Sequence, residues 1–82
     1  MPESDVGRYR VFVTLKPGLL DSAGRAVGES LKTLGFGDVQ QVRIGKLIEL
    51  ELADGSKAEV EEMCKKLLAN PVIEEYTVEE QQ

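Results

Sequence analysis

From Arg8 onward apolar and polar positions alternate, with Tyr9, Val11, Val13 and Leu15 pointing one way and Arg10, Thr14 and Lys16 the other. A period of two predicts a half-buried strand, which Pro17-Gly18 closes. Phe12 breaks the alternation by placing an aromatic ring on the nominally wet face. The period then changes. Ala23, Ala26, Val27, Ser30, Leu31 and Leu34 fall on one helical stripe, with Arg25, Glu29 and Lys32 on the other side. Asp21 or Ser22 supplies an N-cap, and Gly35 the left-handed C-terminal stop. Gly24 and Gly28 each weaken a helix by up to about 1 kcal/mol relative to alanine. Spaced four apart, they predict that another backbone approaches this helix closely.

Val39 to Ile44 and Lys46 to Ala53 read as two strands joined tightly around Gly45, with Ile48, Leu50 and Leu52 alternating with Glu49 and Glu51. After the Asp54-Gly55 turn, Ser56-Lys57-Ala58-Glu59 has the form of a capping box, in which Ser56 and Glu59 satisfy each other's amides. Val60, Met63, Cys64, Leu67 and Leu68 make the apolar stripe of a second helix. Asn70-Pro71 stops it, because proline disfavours the α conformation in the residue before it. Val72 to Val78 makes a last strand. The order β-α-β-β-α-β predicts an α+β, ferredoxin-like sandwich: one antiparallel sheet with two helices on one face. Residues 1–7 are expected to be a flexible N-terminal segment, 8–78 a single domain and 79–82 a polar tail.

Length sets the first limit on function: 82 residues suffice for one domain. The apolar runs span a few residues each, too short to cross a membrane. Met1-Pro2-Glu3-Ser4-Asp5 lacks a basic segment followed by an apolar one, so a cytoplasmic location is expected. Fifteen acidic against ten basic residues give a net charge of −5, which repels a phosphate backbone, so nucleic-acid binding is not expected. One cysteine cannot close an internal disulfide.

Candidate chemistry is sparse. The chain has no histidine, so neither Cys64 nor any serine has the base that a nucleophile needs. Cys64 lies on the apolar stripe and reads as core. Glu49 and Glu51 share a strand face and read as solvated charge, since hard-cation sites recruit more oxygen ligands. Gly35-Phe36-Gly37 reads as a helix stop, lacking the glycine, lysine and helix start of a phosphate loop. No catalytic, cofactor-binding or metal-binding residue is assigned, and the chain by itself is expected to be inactive. Two clusters remain. Arg43, Gly45 and Lys46 form a cationic hairpin tip that either docks an acidic partner or protects a sheet edge. Phe12, with Val39 and Ile73, places apolar area on the sheet face the helices leave open, which points to self-association as a homodimer or higher oligomer.

Several stretches resemble the PurS family, the small subunits of phosphoribosylformylglycinamidine synthase. They are Val11-Phe12-Val13-Thr14-Leu15-Lys16-Pro17-Gly18, Leu20-Asp21 with Gly24 and Ala26-Val27, and Leu31 with Leu34-Gly35-Phe36. Val39 follows, then Val42-Arg43-Ile44-Gly45-Lys46-Leu47-Ile48-Glu49-Leu50, and last Met63-Cys64-Lys65-Lys66-Leu67-Leu68-Ala69-Asn70-Pro71-Val72-Ile73-Glu74-Glu75-Tyr76. Ser22 stands where the family pattern has proline, and serine also suits a helix start. The resemblance implies a non-catalytic subunit of an ATP-dependent amidotransferase complex in purine biosynthesis. That complex converts formylglycinamide ribonucleotide and glutamine to formylglycinamidine ribonucleotide and glutamate. It further implies a glutaminase subunit and a large synthetase subunit as partners, with ATP and magnesium on the synthetase and none bound here. The small subunit would bridge the two and assist ammonia transfer. The competing class is a stand-alone regulatory or ligand-sensing domain on the same fold.

Overall fold

In the computed structural model, which describes residues 7–81, the alternating segment forms strand β1, Gly7–Leu15. It is flanked on both sides by antiparallel partners, β2 (Lys46–Leu52) and β3 (Glu74–Gln81), in the order β2-β1-β3. Val11 lies opposite Ile48 on one side and Val78 on the other, so the three period-two patterns put their apolar residues on one face. Helix α2 (Lys57–Met63) and a π-helical turn (Cys64–Leu68) cover that face. Tyr9, Val11, Val13, Val60, Cys64, Ala69 and Val78 make the buried core, ringed by half-buried Ile48, Leu50, Leu52, Leu68 and Tyr76. Each fully buried valine is worth at most about 1.5–3 kcal/mol, so the core is small but continuous.

The local signals at α2 hold with one difference. Ser56 Oγ accepts from the Glu59 N–H at 3.4 Å, which is half of the expected capping box. At the other end the Ala69 N–H donates to the Cys64 carbonyl at 3.0 Å, closing a wider turn than an α-helix makes. The extra residue rotates Leu67 out of the apolar stripe, leaving it 83% exposed. Asn70 then ends the helix: its side-chain oxygen accepts from the Val72 N–H at 3.0 Å, while its own N–H donates to the Glu74 carboxylate at 2.7 Å.

Helix α1 (Ser22–Thr33) starts at the Asp21 cap and ends where Gly35 takes a φ of 107°. Its apolar stripe does not reach the core. Ala23, Ala26, Val27 and Leu34 are exposed and Leu31 is half-buried, and Gly24 is the one buried residue of the helix. What packs on α1 is the segment 39–44. A Cβ on Gly24 would lie 2.4 Å from the Val42 carbonyl oxygen, and one on Gly28 would lie 3.5 Å from a Val42 methyl. The paired glycines are therefore the bed for a second backbone, as their spacing predicts.

That contact also explains a departure from expectation. Val39 to Ile44 forms no strand, and the sheet has three strands where four were expected. The Ile44 N–H, which a sheet neighbour would have taken, donates to Asp21 Oδ2 at 2.7 Å. The chain then enters β2 past Gly45, where a Cβ would lie 2.3 Å from the Val13 carbonyl oxygen. Gly45 is needed for close approach and not for a left-handed φ. At the termini, Gly7 already pairs with Leu52, and residues 1–6 of the expected flexible segment lie outside the described residues. Residues 79–81, expected as tail, are the end of β3 and pair with Arg10, Tyr9 and Arg8; Gln82 also lies outside the described residues.

The α+β class and the antiparallel sheet are as expected, but the described residues spread over 51 × 30 × 13 Å with a radius of gyration of 16.6 Å. A compact chain of this length has about 12 Å. The bed on α1 gives a paired prediction. Gly24→Ala drives a methyl into the Val42 carbonyl and lowers stability by about 1–3 kcal/mol. Gly28→Ala meets only ordinary contact and leaves stability unchanged or raises it by up to about 1 kcal/mol. Urea unfolding of the two variants is the measurement, and equal midpoints would remove any structural role for the close approach.

Candidate partner-docking site

The cationic segment Arg43 to Lys46 is not a hairpin tip, because it has no strand before it. It is the crossing between the α1 side of the molecule and the sheet. Arg43 Nη2 donates back to the Leu15 carbonyl at the end of β1. Lys46 opens β2 opposite Val13, and its side chain is exposed. Neither cation has a carboxylate within ion-pair distance among the described residues. Two guanidinium or ammonium groups are thus held near one end of the sheet, with Arg43 anchored and Lys46 free to reach outward.

Asp21 fixes this arrangement. Its Oδ1 accepts from the Gly24 N–H at 2.8 Å and its Oδ2 from the Ile44 N–H at 2.7 Å, so one carboxylate ties the start of α1 to a residue more than twenty positions later. The Ile44 N–H and then the Gly24 N–H hold the Asp21 carboxyl below its ordinary 3.8; Arg43 helps, against some desolvation. Sequence reasoning saw the cap and missed the second bond, for which a single sequence carries no local signal.

The apolar cluster is only partly assembled. Phe12 is 38% exposed on the open face of the sheet, directly between Leu47 and Thr77 on the neighbouring strands. The Lys16 N–H donates to the Ile73 carbonyl at 2.9 Å, which sets Ile73 opposite Lys16 one step beyond the β1–β3 ladder, in line with Glu75 and Thr77. Val39 belongs elsewhere: it lines the cleft beside α1, so it does not share a patch with Phe12. Leu47, exposed across from Phe12, is the member that sequence reasoning missed; its place in the alternation of β2 was the available signal. Further along the same face Arg8 meets Glu51 at 2.8 Å and Arg10 meets Glu49 at 3.3 Å, both exposed pairs worth little to stability. Cys64 is fully buried, and burial, with the negative charge of Glu61, pushes its thiol upward, away from the reactive form.

Among the described residues no helix is long and apolar enough to cross a membrane, and no cluster of metal-ligating side chains forms. What the geometry offers is surface, the cationic crossing and the open face of the sheet. Comparison with known proteins gives it a context: the family model of PurS, phosphoribosylformylglycinamidine (FGAM) synthase, matches residues 8–82. The chain belongs to the PurS family. A PurS subunit of the synthase from Synechocystis is 50% identical over 74 residues, covering 85% of this chain and 74% of that one. Among solved structures, Bacillus subtilis PurS superposes with a TM-score of 0.83 at 42% identity, covering 93% of this chain and 99% of that chain. A chain in the structure of PurLQS from Thermotoga maritima superposes with a TM-score of 0.82 at 30% identity, covering 99% of this chain and all of the other. PurS proteins are subunits of the FGAM synthase of purine biosynthesis, and the fold of this chain is that of solved PurS structures.

The Asp21 clasp carries a pH prediction. A carboxyl whose folded pKa is depressed contributes stability above its unfolded pKa and loses it as pH falls through the lower folded value. The advantage of the parent over Asp21→Asn should therefore be full at neutral pH and shrink progressively below pH 3.8. Thermal unfolding at a series of pH values measures it; a gap independent of pH would show that the charge of Asp21 is not what holds the crossing.

Proposed function

We propose that this subunit is the non-catalytic bridge of the synthase, docking a glutaminase to a large synthetase and assisting ammonia transfer between them. Its extended shape carries the reading. A chain that leaves most of one helix, one sheet face and a cationic crossing uncovered is built to be completed by other surfaces. The structural likeness to a chain of PurLQS supports it. ATP and magnesium belong on the synthetase, and the histidine-free composition supports a role without general acid–base chemistry. Docking matters physically because ammonia released into water at neutral pH becomes ammonium and ceases to be a nucleophile. Family membership does not favour the stand-alone sensor.

Arg43 and Lys46, with Gly45 shaping the backbone between them, are the proposed docking cations. Reversing both charges should lower stability by no more than about 1–1.5 kcal/mol, the scale of the exposed Arg43 bond to Leu15. Co-purification with the glutaminase and synthetase, and glutamine-dependent amidation, should fall at least about tenfold, as for loss of a steering contact. The isolated chain should show neither glutaminase nor ATPase activity. A folded variant that assembles and supports turnover like the parent would remove these residues from the interface.

Self-association is the second expected outcome. Phe12 with Leu47, and Ile73 beyond them, present apolar area suited to an isologous contact. Light scattering at micromolar concentration should give a dimer or larger, and Phe12→Gln with Leu47→Gln should shift it toward monomer. A parent that remains a 9.0 kDa species would refute the contact.

A further inference from the structure

On the α1 side of the crossing, the turn after β1, the helix and residues 39–43 enclose a cleft of about 570 Å³. Its charge is unlike that of the rest of the chain. Lys16, Arg25, Lys32 and Arg43, four of the ten cations, line it together with Asp21 and Glu29, two of the fifteen acids. The remaining six cations are outnumbered by thirteen acids. The two acids in the cleft are engaged: Asp21 receives two backbone N–H groups, and Glu29 lies 3.9 Å from Arg25. Lys16 and Lys32 are exposed and have no carboxylate within ion-pair distance among the described residues.

We propose that this cleft is a binding site for a small phosphate-bearing molecule, with Lys16 and Lys32 as its principal anion contacts. A dianion matches the local positive excess on an otherwise acidic surface. The side-chain amides of Gln40 and Gln41, which also line the cleft, offer donors and acceptors for a polar body attached to the phosphate. The volume falls in the range of small-molecule sites, well beyond what a bare phosphate fills. Gly24 shapes the floor, since a Cβ there would run into the Val42 carbonyl, push residues 39–43 off the helix and alter the opening. The site needs neither partner subunit, so it stands or falls separately from the bridging role.

Amide-resolved NMR of the full chain, titrated with ribose 5-phosphate, inorganic phosphate and ribose, tests it. Both phosphates should perturb the amides of Gly18, Gly24, Gly28 and Gln40, while ribose leaves them unmoved. Tighter binding of the ester assigns the site to phosphate esters, and equal binding assigns it to free phosphate. Lys16→Gln with Lys32→Gln should weaken binding at least about tenfold, and raising the salt should weaken it in the parent. Lys57→Gln with Lys65→Gln, the same charge removed at α2 and the π-helical turn after it, should leave binding intact. No perturbation up to about 10 mM ligand, a millimolar-affinity ceiling, would overturn the proposal, as would equal binding by the cleft variant. A cleft variant that fails to assemble with the partner subunits while the parent binds no phosphate would assign the cleft to an acidic protein segment and overturn it equally.

Discussion

Everything in this fold hangs from the central strand. β1 is the one element with hydrogen-bonded neighbours on both edges and a helix over one face, and it supplies Tyr9, Val11 and Val13 to a core of seven residues. The three-stranded sheet pairs β1 on both edges from Arg8 to Val13, and one helix layer covers one of its faces. It leaves the outer edges of β2 and β3, and the whole face that carries Phe12, to whatever lies beyond. Helix α1 is held apart from this core, by a carboxylate and two glycines instead of by apolar burial.

Two kinds of cohesion therefore coexist in one short chain. The sheet half is held by desolvated valines, whose contribution does not depend on a titrating group. The α1 half is held by the Asp21 clasp and by backbone-to-backbone approach at Gly24, both polar and geometrically exacting. The cationic crossing Arg43–Lys46 joins the two halves, so any surface that docks there contacts the junction. An interface at such a position reports the relative placement of the halves to its partner, which suits a spacer between larger subunits.

What the sequence made legible follows from locality. The alternation in β1, the caps at Asp21 and Ser56, the stop at Gly35 and the Asn70-Pro71 break are each decided by neighbours within four residues. The misreadings lie where a long-range contact or a break in the helical period intervenes. Val39 to Ile44 has strand-like composition, but its backbone is committed to Asp21 and to the groove over Gly24. Leu67 has the right spacing for the core and is turned outward by a single wide turn begun at Cys64. The stripe on α1 is genuinely amphipathic, and its apolar side stays open because the one helix over the core is α2. The candidate site suffered in the same way. Arg43 and Lys46 were legible as exposed cations, whereas the anchoring of Arg43 to Leu15 and the removal of Val39 from the sheet depended on a crossing that no local pattern announces.

The register of the central strand bears on how the chain is made. Arg8 pairs with Gln81 and Leu15 with Glu74, so β1 needs as its neighbour a strand that lies more than fifty positions later in the chain. Its other neighbour, β2, arrives midway. Contacts of such sequence separation close late and slowly, because loop entropy must be lost before they are rewarded. Until β3 has been made, β1 is a hydrophobic strand with one bare edge. The four glutamates of β3, at 74, 75, 79 and 80, arrive with the strand that covers that edge, and they turn an association-prone ribbon into one with an acidic border.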